Sequence, residues 1–511
     1  MKMKKFLALL LACVMTLALL AGCGGSGNNP PSNTDTPSNT DTPSNTDTPS
    51  DTNTPAPSTD GDVPTIVWYQ IGSGQPANID SWTQTANAYL EEKIGVHIDI
   101  QCVSWGDWGN RRSMIIQTSE PYDIMFTDSG SYSSDVAMGA FADLTELIKE
   151  TPGITDLIPA NYLDACKIDG KLYAIPAYKD SSMTNFFIWT KEYVDSYAPD
   201  MWQDVHSLEE ATPVVKALKE GSGEPPMLLN KDGLSCVVGN RYDQLGMAGM
   251  AAIGVSYYDN SGKVVCTFEQ DDVMDQLKIL NEWMTAGYIN SDAATASEAT
   301  GMCGLGVGQG WPSAATGWGA TRGAEVVVSQ FGDTVVSNDT IQGSMACISA
   351  NSTHQLEALK VLELVSTDSK FRDMLAYGEE GVNFEYVTAA NGEQRVHKIN
   401  NDWTLAGYTQ GTFMTMTPTD DVEVNPYTGE VDEQNKNAIS SVALGFAMDK
   451  SPVADKIAAC QAIFEEYKGL LQTGTGEPES TVAAMMSSMR ASGFDDIVAE
   501  AQAQLDAFLG K

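Results

Sequence analysis

The chain has 511 residues, with 29 Lys and Arg against 68 Asp and Glu, a formal charge of −39. That balance argues against a nucleic-acid binder, which needs basic residues to neutralise phosphates, and against attachment to an anionic leaflet through basic patches. Apolar residues at 42% and aromatics at 8% supply a core large enough to fold without a disulfide staple.

The N-terminus reads as an address. Lys2, Lys4 and Lys5 precede an apolar run over 6–21. The run is too short for a membrane span, which needs roughly twenty residues. It ends in Leu20-Ala21-Gly22-Cys23, which resembles a bacterial lipoprotein lipobox. The resemblance implies a signal peptide over 1–22, cleavage before Cys23, and acylation of Cys23. The mature chain would then be anchored by lipid on the outer face of the cell membrane, of Gram-positive type. An ordinary secretory signal with an incidental Cys is the alternative. Removing three lysines would take the formal charge from −39 to −42. A linker over 23–63 follows. The unit PSNTDT starts at Pro31, Pro37 and Pro43, with a variant at Pro49, and no aromatic residue stands between Phe6 and Trp68. Such a segment cannot bury enough apolar surface to fold. It is expected to be an extended tether of roughly 3 Å per residue.

From 64 onward strands and helices alternate. TIVWYQI (65–71), VHIDIQC (96–102) and YDIMFT (122–127) read as buried strands separated by helical patterns. That alternation predicts a mostly parallel α/β sheet, with ligands bound outside the carboxyl ends of its strands. The loops at 70–75, 104–108 and 128–133 should therefore share one edge. Near the C-terminus, Ile457, Cys460, Phe464, Tyr467 and Leu471 form one helical stripe. Phe494, Ile497, Val498, Ala501, Leu505 and Phe508 form another.

Segments along the body resemble the extracellular solute-binding lipoproteins of bacterial ABC importers, carbohydrate type. They are TIVWYQIGSG, EPYDIMFTDSGSY, GAFADLTELI, DGKLYAIPAYKD, ILNEWMTAGYINSD, GVGQGWPSAATG and GSMACISANS, in that order. The region from about 425 to 509 resembles the tail of a LipO-like subgroup. The resemblance implies a hinged two-lobe α/β fold of Venus-flytrap type with a helical C-terminal region. Lobe one is expected over about 64–182 and 342–400, and lobe two over about 183–341 and 401–511. The hinge is expected near 177–185 and 338–344. It also implies a monomer that captures an oligosaccharide and passes it to permease subunits, with no cofactor.

A pyranose has apolar C–H faces and a belt of hydroxyls, so it needs aromatic platforms and planar hydrogen-bonding groups. By the resemblance, Trp311 is the expected platform, with Trp318 assisting, and Asp128 is the polar contact. Tyr69 and Gln70 lie on the first-strand loop, Trp105 and Trp108 after the second strand, Tyr178 and Lys179 at the hinge, and Glu380 after Tyr377. Arg111 and Arg112 leave two ligand chemistries open. Facing the cleft, they suit an acidic sugar; facing solvent, they leave a neutral glycan as the better fit.

Other chemistries lack their motifs. The four His (His97, His206, His354, His397) show no metal-ligand spacing. No GxxxxGK[ST] loop is present, so ATP would be used by a separate subunit. Asp271-Asp272, Glu379-Glu380 and Asp420-Asp421 could imitate a glycosidase pair, but adjacent surface carboxylates are commoner. DNSGK (259–263) reads as a turn. Seven Cys beyond Cys13 and Cys23, without CxxC spacing, give no disulfide framework. A receptor for a peptide or another polar solute, and a surface glycan-active enzyme, remain the alternatives.

Overall fold

The computed structural model describes residues 63–511, so the expected signal peptide, Cys23 and the tether through 62 lie outside the described residues. The main strands are β1 (Thr65–Gly72), β2 (His97–Ser104), β3 (Ile124–Thr127), β4 (Ala174–Pro176), β5 (Met183–Thr190), β6 (Leu305–Gln309), β7 (Val326–Val336), β8 (Met345–Ile348) and β9 (Ile439–Ser440). One sheet has the order β2-β1-β3-β8-β4 and the other β6-β5-β7-β9. The first is parallel across β2, β1 and β3, as expected. Contrary to the expectation, β8 is antiparallel to β3 and β4, and β5 is antiparallel to β6 and β7. The crossings explain this. β8 enters the first sheet from the other lobe, at the edge where β3 ends, so it must run backwards.

Each sheet has its own core. Trp68, Ile100, Ile124, Cys347 and Phe371 anchor the first. Phe187, Trp189, Phe268, Trp283 and Phe464 anchor the second. The two C-terminal stripes fall on helices Ala454–Gln472 and Phe494–Phe508. Both pack on the second core, although Phe508 itself is exposed. DNSGK is a turn in which Asp259 accepts from the Ser261 N–H at 2.9 Å. Cys102, Cys166, Cys236, Cys266, Cys303, Cys347 and Cys460 are all free thiols. Among the described residues no helix is long and apolar enough to cross a membrane.

The chain passes between the lobes after β4, after β7, and again over 418–438. The third crossing falls later than the expected lobe boundary at 400. Trp403, Leu405 and Met414 pack on the first core. Phe413 and Met416 pack with the hairpin Phe384–Thr388 and Gln394–Lys398. Lobe one therefore extends to about 416, because the chain recrosses its sheet before leaving.

That recrossing, over 404–413, straps the carboxyl edge of the first sheet. Thr404 O accepts from Ser73 N at 3.0 Å. Gln410 donates to Gln70 at 2.8 Å and Thr412 to Tyr178 O at 2.7 Å. The strap passes so near β1 that a Cβ on Gly72 would stand 2.7 Å from Thr404 O, so only glycine fits there. Arg372 holds the strap from beneath. Its guanidinium is fully buried and donates to Thr412 O (2.7 Å), Gly407 O (2.6 Å) and Gln410 Oε1 (3.4 Å). Burial pulls its pKa down to about 10.

Arg372→Ala leaves the buried Thr412 O without a donor and Gly407 O with only the long bond from Gln410 N, at about 1–3 kcal/mol for an unsatisfied buried group. The variant is expected to lose about 3 kcal/mol in chemical denaturation. Arg372→Lys, with a single ammonium in place of the fork, should fall between it and the native chain.

Candidate ligand cleft

The ends of β1, β2 and β3 place the three expected loops on one edge. Trp105 follows β2, its N–H donating to Gly72 O at 3.1 Å. Its indole is 47% exposed and lies nearly parallel to Tyr408 of the strap, itself 49% exposed, with centroids 6.1 Å apart and planes 10° apart. Asp128 follows β3 and shapes its own loop, accepting from Gly130 N at 3.1 Å and Ser131 Oγ at 3.3 Å.

The neighbouring expectations are corrected by burial. Trp108 packs edge-on against Phe126 at 5.6 Å, inside the first core. Tyr69 is buried, donating to Glu120 at 2.7 Å while Arg111 donates to it at 2.8 Å. Burial, with the Glu120 contact adding to it, pushes its phenol up to about 12. Gln70 is also buried; its Oε1 accepts from the strap and its Nε2 has no partner. Arg111 forks onto Glu120 at 2.5 and 2.7 Å, and Arg112 pairs with the buried Asp135. Neither arginine is free to take a ligand carboxylate.

At the first crossing, Tyr178 is buried edge-on to Tyr162 at 5.6 Å, and its carbonyl accepts from Phe413 N at 3.0 Å. Lys179 pairs with Asp180 at 2.6 Å. Trp311 leaves β6 where Gly310 N donates to Thr184 O, at the crossing end of the second sheet. It is half-buried and fixed by edge contacts to Phe413 (6.3 Å) and Tyr427 (6.2 Å). Tyr427 belongs to a π-helical turn, Tyr427–Val431, in the third crossing. Trp318 instead covers one face of the second sheet, against Phe186 and over Gly308 and Gly310. Glu380 is exposed at the base of the hairpin, beside Glu379, which accepts from Ser81 of the outer helix Ile79–Ile94.

The sequence reading missed a cavity of about 560 Å³ at the crossing end of the second lobe. Asn185 and Gln309 line it from the sheet, Asp232 and Ser235 from a turn, Tyr242 from the short strand Tyr242–Asp243, and Tyr257 from just after its antiparallel partner Ile253–Ser256. Asp339 lines it from the second crossing, and Phe464, Lys468 and Gln472 from helix Ala454–Gln472. Lys468 pairs with Asp232 (3.1 Å) and Glu465 (2.8 Å). The one sequence signal was NKDG (230–233), whose Gly233 has φ +59° and no room for a Cβ against Gln472 O. The C-terminal region also grips the second crossing. Asn338 accepts from Gly445 N at 2.8 Å and donates to Phe446 O at 2.5 Å.

Residues 84–407 match a family model described as bacterial extracellular solute-binding protein. The chain belongs to that family. Residues 442–510 match a domain of unknown function, DUF3502. A carbohydrate ABC transporter substrate-binding protein of Streptococcus pneumoniae is 28% identical, over 88% of this chain and 92% of its own length. The N-glycan transport solute-binding protein NgtS of the same species is 26% identical over 88% of this chain and 99% of NgtS, with a TM-score of 0.78. NgtS in complex with Man1GlcNAc gives 0.70 and with Man5GlcNAc 0.67, at the same identity, over 88% of this chain and 100% and 99% of NgtS.

Beside the second crossing, Asp243 is fully buried near Asp339, and burial pushes its carboxyl up to about 6. The folded state therefore holds that proton more tightly than the unfolded chain, whose Asp titrates near about 4. This contribution to stability is full below about pH 4 and is lost as pH rises through about 6. Asp243→Asn should raise stability by about 2 kcal/mol at pH 7 and change it little at pH 4, read by denaturant unfolding at both values.

Proposed function

We propose that this family member captures a neutral oligosaccharide outside the cell and hands it to the permease of an ABC importer, without turnover. The charge balance of the cleft carries the reading. Arg111, Arg112, Lys179 and Lys468 each have a carboxylate partner within the protein. What they leave for a ligand is aromatic faces, amides, hydroxyls and carboxylates, which suits ring C–H faces and sugar hydroxyls. An acidic sugar needs an unpaired fork to grip it. The NgtS complexes with mannosyl glycans support the carbohydrate assignment. The crossings allow the lobes to close by hinge motion, and Trp311, Asp128 and Trp105 stand where closure would bring them to a ligand.

The lipobox-like Leu20-Ala21-Gly22-Cys23 and the Pro/Ser/Thr-rich tether support a lipid-anchored protein working at the outer face of the cell membrane. Acyl chains contribute about 0.8 kcal/mol per buried methylene, and two or more hold firmly.

The test is a thermal-shift screen of residues 62–511 against neutral and uronic-acid oligosaccharides. A ligand at a hundredfold excess over Kd adds about 2.7 kcal/mol of stability. The expected result is a shift with a neutral series, absent with uronides, lost in Trp311→Ala, and without hydrolysis of the glycan. A shift only with peptides would overturn the carbohydrate assignment, and product formation would overturn the binding role.

A further inference from the structure

We infer that Trp105 and Tyr408 form a second sugar platform, separate from Trp311, which makes the cleft selective for longer glycans; this rests on the proposed function. Trp105 is the one exposed tryptophan among the described residues. Leaving an indole and a phenol half in water forgoes the burial that such rings ordinarily gain in a core. The pair is nevertheless built with care. Its members stand 303 positions apart in sequence, yet their planes agree within 10°. The Trp105 backbone is held by its N–H bond to Gly72 O, and Tyr408 rides on a strap that the buried Arg372 grips on either side, at Gly407 and Thr412.

The occupant follows from place and charge. The pair shares its edge of the first sheet with Asp128, so it continues the proposed cleft instead of opening a new surface. With 68 acidic residues against 29 basic ones, and Asp107 two positions from Trp105, the site disfavours anionic rings such as nucleotides. It favours the apolar face of a neutral pyranose. The strap also sets a length. Tyr408 is five residues from Phe413, which touches Trp311. Their Cα atoms are therefore at most about 18 Å apart, so one short oligosaccharide can reach both platforms. A glycan held at Trp311 would lay its far residues on Trp105 and Tyr408.

The experiment is calorimetric titration of the full-length chain and of Trp105→Ala, Tyr408→Ala and Trp105→Phe. The probes are Man1GlcNAc and Man5GlcNAc, with cellobiose and cellopentaose as a linear pair. Unchanged melting temperatures would show that the exposed substitutions leave the fold intact. Each alanine variant is expected to weaken the longer glycan by roughly two- to tenfold, the worth of an aromatic stacking contact. The shorter glycan should stay within about twofold of the native value, and Trp105→Phe should keep most of the affinity for the longer one. Equal losses at both lengths, or none for the longer glycan, would overturn the second platform while leaving the glycan reading intact. If the native chain binds none of the four, the glycan reading fails and this inference falls with it.

Discussion

Arg372 has no exposed surface, yet it donates to two backbone carbonyls and a side-chain amide of one ten-residue segment. Taking a guanidinium out of water is costly unless its donors are matched, and here the acceptors are strap atoms. The consequence spreads along the chain. The strap closes over Gly72, ties Gln410 to Gln70 and ties Thr412 to the first crossing. It therefore sets the floor of the cleft and carries Tyr408 and Phe413 to their places. A loop at a sheet edge would ordinarily be mobile, and this one is clamped from the core side.

Electrostatics act on the site in a second way. A strongly acidic protein has few cations to offer a ligand, and those near the cleft are matched internally. The Tyr69–Arg111–Glu120 cluster shows the effect on pKa in both directions. The guanidinium holds Glu120 below the usual carboxylate range, while burial, with the same carboxylate assisting, pushes the Tyr69 phenol up. The cluster satisfies its own charges within the protein.

Legibility in the sequence followed the range of the interactions. β1, β2 and the C-terminal helices were readable because their patterns are local: a run of apolar β-branched and aromatic residues, or a stripe of period 3.6. Trp105 stood out as an aromatic after a strand, and Trp311 through the resemblance carried by GVGQGWPSAATG. Trp108 was not distinguishable from Trp105, because three positions along a turn decide which indole faces Phe126 and which faces water. Tyr69 and Gln70 looked like rim residues, since nothing local reveals that Glu120 and Gln410 will meet them. The antiparallel β8 and the position of the third crossing were hidden because both depend on where the chain returns from the other lobe. Asp232, Tyr257 and Lys468 lie far apart in sequence and meet only through the packing of helix Ala454–Gln472 on the second lobe.

That packing gives the C-terminal region a part in the cleft as well as in the core. Its helix supplies a wall of the cavity, and Gly445 and Phe446 bracket Asn338 on the second crossing. A hinge bends where backbone is least held, and the second crossing is held on its second-lobe side by these bonds. On its first-lobe side the same crossing is held as well, Gln342 donating to Ala165 O at 2.6 Å and its carbonyl accepting from Ser129 N at 2.9 Å. At the crossing end of the second sheet, Trp311 stands against Phe413 and Tyr427. Those edge contacts pre-set the indole, so a ligand arriving at the cleft meets a platform whose orientation has already been fixed and whose ordering it need not drive.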